Sequence, residues 1–364
     1  MLFTIDNLIN KITMYRLVLY YLMVLIITSA LLGSFSFIPI NPIELVLSTV
    51  YLIAISFVTQ KVFIYIFKAP TNLESVYITA IILALIVTPA HTVNDFVFLT
   101  LAAILAVSSK FILAIGKKHI FNPAAIAVTI TALVFGHGAS WWIGNIYTTP
   151  IILLGGLLIA RKLRKGDLVF TFMLVVAAIS SMLSIAKGEN PIIILNIIFL
   201  HSSLFFFAFV MLTEPTTTPP NKKLRVAYGS LAGFLFLSQI YTRSIFATPE
   251  FALLVVNIFS YLSGPKEKLI MNLFEKFQIA PDIWDFIFVP NQKINFRPGQ
   301  FLEWTLPHKS PDSRGNRRYF TIASSPTENA LRLGVKFTSD GSSFKKALLT
   351  MDEHSLIVGG QRGG

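Results

Sequence analysis

Three clusters of basic, amide and hydroxyl side chains have the chemistry to hold a phosphorylated cofactor. The first is Lys118-His119-Ile120-Phe121-Asn122-Pro123-Ala124-Ala125. Asn before Pro starts a helix, because Asn122 can cap and Pro123 suits the first helical position. Free N–H groups at such a start, beside a lysine, favour an anion such as phosphate. An ordinary capped helix explains the same residues, and local chemistry alone favours that plainer reading. The second cluster is Thr213-Glu214-Pro215-Thr216-Thr217-Thr218-Pro219-Pro220. Its prolines prevent helix, and Thr216, Thr217 and Thr218 gather hydroxyls near Lys222 and Lys223. Such hydroxyls and backbone N–H groups suit a phosphorylated cofactor, although a rigid polar turn is again the plainer reading. The third is Arg318-Tyr319-Phe320-Thr321-Ile322-Ala323-Ser324-Ser325-Pro326. It sets an arginine among aromatic side chains in a strand-patterned tail. A lone R-x-F-T is most often just a strand.

These clusters need elements to position them, and most of the chain is apolar. Of 364 residues, 54% are hydrophobic and 13% charged, against about 25% charged in a soluble domain. The chain reads as a polytopic membrane protein. A net charge of +12 raises nucleic acid as a partner, but the Lys and Arg sit in short loops between apolar segments. The positive-inside rule accounts for them better. The absence of cysteine removes disulfides, Cys-ligated iron–sulfur clusters and thioether-linked haem. Met1 to Arg16 mixes charges with apolar residues and reads as an interfacial helix, not a cleaved signal.

Ten stretches are apolar enough to be read as spans, at about 20 residues each and fewer where a helix packs inside the bundle. They are 15–38, 43–67, 75–90, 94–115, 121–136, 149–161, 168–187, 191–212, 225–241 and 246–263. Loop charge alternates with them. Lys68, the pair Lys117 and Lys118, the group Arg161 to Lys165, Lys222 to Arg225, and Lys266 with Lys268 alternate with loops that are uncharged or carry little, such as Lys187 and Arg243. Ten spans with both termini cytoplasmic follow, in an inner (plasma) membrane. Asp95 and Glu250 fall near the outer face, and no acidic residue falls near a midplane, where an ion pump would favour one.

After Ser263-Gly264-Pro265 the composition turns polar, giving a membrane domain over 1–265 and a soluble domain over 266–364. Alternating runs at Trp284 to Val289, Phe301 to Leu306, Tyr319 to Ala323, Leu331 to Phe337 and Leu356 to Val358 are punctuated by Pro298-Gly299, Pro311-Asp312 and Asp340-Gly341. They predict a small antiparallel β-barrel.

F-N-P-A-A after a lysine pair, with T-E-P-T-T-T-P-P after a Phe-rich span, resembles the paired motifs of the NqrB/RnfD family of membrane flavin subunits. The resemblance covers residues 15–265 and implies ten helices, flavin-linked electron transfer and FMN near Asn122, Thr216, Thr217 and Thr218. Members bearing S-G-A-T hold FMN covalently. The nearest string here is Gly138-Ala139-Ser140, followed by Trp141, which leaves either a non-covalent FMN or a site that has lost its flavin. In the tail, Phe296-Arg297-Pro298-Gly299-Gln300-Phe301, then Arg318-Tyr319-Phe320-Thr321, Gly334-Val335-Lys336 and Gly341-Ser342-Ser343, resemble in their order the FAD domain of the ferredoxin–NADP reductase superfamily. That resemblance gives Arg318 the pyrophosphate charge, Phe320 the flavin ring and Thr321 its N5 edge. It has Gly334, Val335 and Lys336 line the cofactor and Gly341, Ser342 and Ser343 bind phosphate. The superfamily adds a nucleotide-binding α/β domain that is not found before Gly364, so the sequence reads as a fragment, or a partner redox subunit supplies that part.

The expectation is an FAD-dependent membrane oxidoreductase with NAD(P)H or ferredoxin as donor and the lipid bilayer as its setting. Two other architectures meet parts of the pattern. A haem-containing ferric reductase or NADPH oxidase needs paired histidines at matched depth. The membrane region offers His91, His119, His137 and His201, of which only His201 lies within a span. A transporter with a flavin redox-sensing tail would use the two Pro-containing loops as broken helices.

Overall fold

The computed structural model describes residues 6, 9–68, 73–115, 118–241, 248–264, 269–338, 341–353 and 355–363. Lys117, Arg243, Lys266, Lys268 and Asp340, and residues 1–5, 7 and 8 of the amino-terminal segment, lie outside them. The chain divides into two compact units. Met14–Pro219 with Lys223–Gly264 is helical; Met1–Thr13, Pro220–Lys222 and Pro265–Gly364 form the other, built on strands.

The helical unit runs α1 (Met14–Ser34), α2 (Pro42–Phe67), α3 (Leu73–Ile86), α4 (Val93–Ile112), a short ribbon β1 (Ala114–Ile115) and β2 (Lys118–His119), and α5 (Pro123–Phe135). It continues with α6 (Thr149–Leu163), α7 (Gly166–Ala186), α8 (Pro191–Leu200), α9 (Leu204–Phe206), α10 (Lys222–Tyr241) and α11 (Pro249–Ser263). Helices therefore stand at each of the ten apolar stretches. Among the described residues, α1, α2, α4 and α7 are long and apolar enough to cross a membrane, and a fifth span results if α8 is joined to the Leu204–Met211 segment across their 60° bend. Three of the ten stretches hold shorter apolar helices. α3, α5 and α11 have 14, 13 and 15 residues, against the roughly 20 a bilayer needs.

One local device starts many of these helices. Asn41, Asn122, Asn190 and Thr248 each cap a helix whose first residue is proline, and each side chain accepts a backbone N–H of the first turn. Proline there gives up only an N–H that would have no helical partner. Thr92 and Asp95 add a reciprocal capping box at α4. The bend after α8 leads through α9 into a π-helical turn, Phe207–Met211, and packs on Gly144. A Cβ at Gly144 would stand 2.4 Å from the Ser203 nitrogen, so no larger residue fits. The core behind the bend is aromatic, with Phe172, Phe206, Phe207, Phe236 and Tyr228 all fully buried.

The second unit holds β3 (Leu269–Ala280), β4 (Ile283–Pro290), β5 (Phe301–Thr305), β6 (Arg317–Thr321), β7 (Leu331–Lys336), α12 (Ser343–Leu349) and β8 (Leu356–Gly363). Its strands form one antiparallel sheet in the order β6-β5-β8-β3-β4-β7. Alternation builds the core. Leu331, Leu333 and Val335 point inward to Phe286, Phe288, Trp304 and Phe344, while Gly334 and Lys336 face out. Among the described residues β6 and β7 share no ladder. One backbone bond just beyond β6, Ala323 N–H to Arg332 O at 3.0 Å, joins that side, so the expected barrel appears as a curled sheet with this seam unpaired.

Candidate functional site

The two polar loops of the helical unit meet at one cavity. Tyr15 of α1, Ser75 and Thr79 of α3, Asn122 and the loop residues Thr213 and Glu214 give it polar edges between apolar walls. Asn122 stands there because it caps α5: its side chain accepts the Ala125 N–H at 3.1 Å. Its own N–H donates to Asn257 Oδ1 at 2.8 Å, and Asn257 in turn donates to Tyr228 Oη at 2.9 Å. The cap is thereby tied to α11 and α10.

The threonines behave differently. Thr216 Oγ1 lies 2.6 Å from His119 Nε2 and 3.1 Å from Glu214 Oε1. Thr217 donates to Glu214 Oε2 at 3.4 Å, and Thr218 to the Glu214 carbonyl at 2.7 Å. All three hydroxyls bond to Glu214 of their own loop, Thr216 to His119 as well, and Thr213, Glu214 and Pro215 line the cavity instead. The Glu214 carboxylate also meets His119 Nε2 at 2.9 Å. Burial alone would push the Glu214 carboxyl up, but the His119 hydrogen bond and the charges of His119 and Lys110 hold it below the usual carboxylate range. Lys110 itself donates to Ser75 at the cavity wall, to the carbonyl at 2.9 Å and the hydroxyl at 3.1 Å. Buried Lys165 donates to the Thr213 carbonyl at 3.1 Å and to Thr218 Oγ1. His119, Glu214, Lys110, Lys165 and Asn257 are the residues that motif reading passed over. Glu214 and His119 lay inside the quoted motifs; no local signal marked the other three as partners.

In the strand unit, β6 turns Arg318 and Phe320 toward the core and Tyr319 and Thr321 outward. Phe320 packs on Phe344, ring centroids 5.8 Å apart, so the β6 ring that faces out is Tyr319, which lies edge-on to Phe301 at 5.6 Å. Arg318 is held by a dense set of bonds. One terminal nitrogen donates to the carbonyls of Arg314, Gly315 and Arg317 at 3.1, 2.8 and 2.7 Å. The other donates to both oxygens of Asp312 at 2.9 Å. Its Nε is buried with no hydrogen-bond partner among the described residues. Ser343 completes the group: its N–H donates to Asp312 Oδ2 at 3.2 Å, and its hydroxyl accepts the Asp312 N–H at 2.9 Å. The same hydroxyl lies 3.1 Å from His308 Nε2. Ser342 caps α12 by accepting the Lys345 N–H. Gly341 donates its N–H to the Thr338 carbonyl. Val335 is in the core, Lys336 is exposed, and Gly334 has open space where a Cβ would stand. The structure thus gathers Arg318 and Ser343 around Asp312, which sequence reading had taken only as a turn residue.

Residues 140–263 match the NQR2, RnfD, RnfE family. That stretch carries Lys165, Glu214, the three threonines, Tyr228 and Asn257; His119 and Asn122 precede it. The helical part of the chain is therefore similar to that family over the half that supplies the Thr213–Pro220 loop. No curated protein matches the chain. One solved structure that resembles it is a flavohemoglobin from Malassezia yamatoensis with bound FAD and heme, 16% identical over 59% of this chain, with a TM-score of 0.25. The match covers 63% of that protein, under two thirds of its length, and at that TM-score nothing is built on it.

Proposed function

We propose that the chain is a membrane-bound, flavin-dependent oxidoreductase component. It takes electrons from a cytoplasmic donor, NAD(P)H or ferredoxin by class, and delivers them to an acceptor at or beyond the membrane. The strand unit holds FAD and the helical unit holds a second, non-covalent flavin, by resemblance FMN. The helices form a ten-span bundle with both termini cytoplasmic, in an inner membrane. The observation that carries this reading is the meeting of the Asn122 and Thr213–Pro215 segments at one cavity. Two motifs 90 residues apart have no local reason to converge, and the family matching residues 140–263 is one of membrane flavin subunits.

The chemistry of each site limits what it holds. The cavity in the helical unit offers amide, hydroxyl and carboxylate groups between apolar walls, which suit the polar edge and flat body of a flavin ring. Glu214 on its wall disfavours a phosphate nearby, since two anions repel in a low-dielectric site. A phosphate tail would therefore point away from Glu214. In the strand unit, Tyr319 and Thr321 present a ring and a hydroxyl on one exposed face, and Arg318 supplies a guanidinium suited to phosphate oxygens. A bound flavin would supply the redox chemistry, while these residues bind and orient it. The deciding experiment is extraction of flavins from the purified chain under denaturing conditions. One FAD and one FMN per chain are expected; FAD alone would retire the second site, and no flavin would end the reading.

A further inference from the structure

We propose that Asp312 is an internal anion occupying the phosphate-binding position of the strand unit, so that a phosphoryl ligand binds Arg318 only by displacing it. The inference rests on the FAD reading above and assigns to that site a competitor built into the chain. Its basis is the accounting of Arg318's donors. One terminal nitrogen is spent on three main-chain carbonyls, and the other carries both oxygens of Asp312. The buried Nε is left without a partner. No terminal N–H remains to receive a phosphate while Asp312 stays in place.

Exposure orders the pair. The Arg318 side chain is 8% exposed and that of Asp312 28%, so the carboxylate stands on the solvent side of the guanidinium. A ligand arriving from solvent meets Asp312 first. The guanidinium is also pinned from behind, its carbon 5.5 Å from the centre of the Phe344 ring, so it cannot readily swing to a second face. Asp312 lies in the loop between β5 and β6, where its side chain is held by Arg318, the Ser343 N–H and the Arg314 N–H, so its release exchanges these bonds for water. A phosphate offers Arg318 and Ser343 the same kind of acceptor with more oxygens and more charge. The exchange is therefore one anion for another, at the cost of turning a carboxylate into water.

The test uses the full chain in lipid nanodiscs, with FAD as ligand followed by flavin fluorescence and pyrophosphate as competitor. Asp312→Asn keeps an acceptor for Arg318 but removes the charge. It should tighten FAD binding by about tenfold, the scale of one charge-assisted bond, and tighten pyrophosphate competition in parallel. In the unmutated chain, saturating FAD should raise carbodiimide labelling of Asp312, read by mass spectrometry, because the freed carboxylate turns to solvent. This second measurement stands even if Asp312→Asn does not fold. Unchanged or weaker FAD binding in Asp312→Asn, or labelling that FAD leaves unaltered, overturns the proposal. The two failures separate cleanly. If the native chain binds FAD through Arg318 and Asp312→Asn does not improve it, only the displacement idea falls. If neither form binds FAD, the FAD assignment falls with it.

Discussion

At the scale of single residues, both candidate sites are organised by a carboxylate. Asp312 gathers Arg318 and Ser343, and Glu214 gathers His119, Thr216 and Thr217. Arg318→Ala should abolish FAD retention while the helical unit stays folded, checked by flavin content against circular dichroism; retained FAD would refute the assignment. Asp312 also predicts a pH response. Burial alone would push its carboxyl up, but the Arg318 hydrogen bonds and charge outweigh this and hold it below the usual range. Its folded pKa is depressed, so its contribution is fully present above the unfolded value near 3.9 and is lost as pH falls through the folded value. The melting temperature of the strand unit should hold through neutrality and fall in that acid window. Asp312→Asn should flatten the fall, as scanning calorimetry across pH 2–6 would report. In the helical unit, Glu214→Ala would strand His119 and two threonine hydroxyls in a buried loop. The cost should be about 2–3 kcal/mol, measured as a lowered thermal midpoint together with loss of the second flavin.

At the scale of elements, the caps and close contacts carry the geometry. Asn122 both starts α5 and borders the cavity, so Asn122→Ala should cost about 1 kcal/mol of stability through the lost cap and also weaken flavin retention by the helical unit. A plain capping residue would show only the first effect. The helix α6 approaches the bend at Gly156, where an added Cβ would meet the Phe209 ring at 2.4 Å. Gly156→Ala should therefore destabilise by about 1–3 kcal/mol through overpacking, visible as a drop in melting temperature with the cofactor content per folded chain unchanged. The element count was legible in outline. Apolar runs and Asn-Pro or Thr-Pro starts marked where helices begin, because capping is decided within four residues. The strand Leu269–Ala280 was not anticipated. Its charged and aromatic residues alternate poorly, and its ladder with β4 carries two bulges that break the two-residue period.

At the scale of the whole molecule, a helical unit and a strand unit each hold a candidate cofactor position, and the proposed function is a statement about both. The family match falls on residues 140–263, which take in T-E-P-T-T-T-P-P but not F-N-P-A-A. The strand unit rests on its ordered motifs. The flavin-extraction experiment therefore tests the two units independently: loss of FAD on Arg318→Ala with the second flavin kept would show that each unit binds its own cofactor.

The sequence by itself determined which segments are apolar, where helices start, which strands alternate and which motifs are candidates. These follow from side chains a few residues apart: a cap and its N–H, a proline at a helix start, a period of two in Leu331, Leu333 and Val335. Only the tertiary structure decided which polar groups meet. It turned Thr216, Thr217 and Thr218 onto Glu214, brought Asn257 to Asn122 across 135 residues, and set Asp312 on Arg318. A buried donor must find an acceptor wherever packing brings one, and sequence spacing carries no record of that choice.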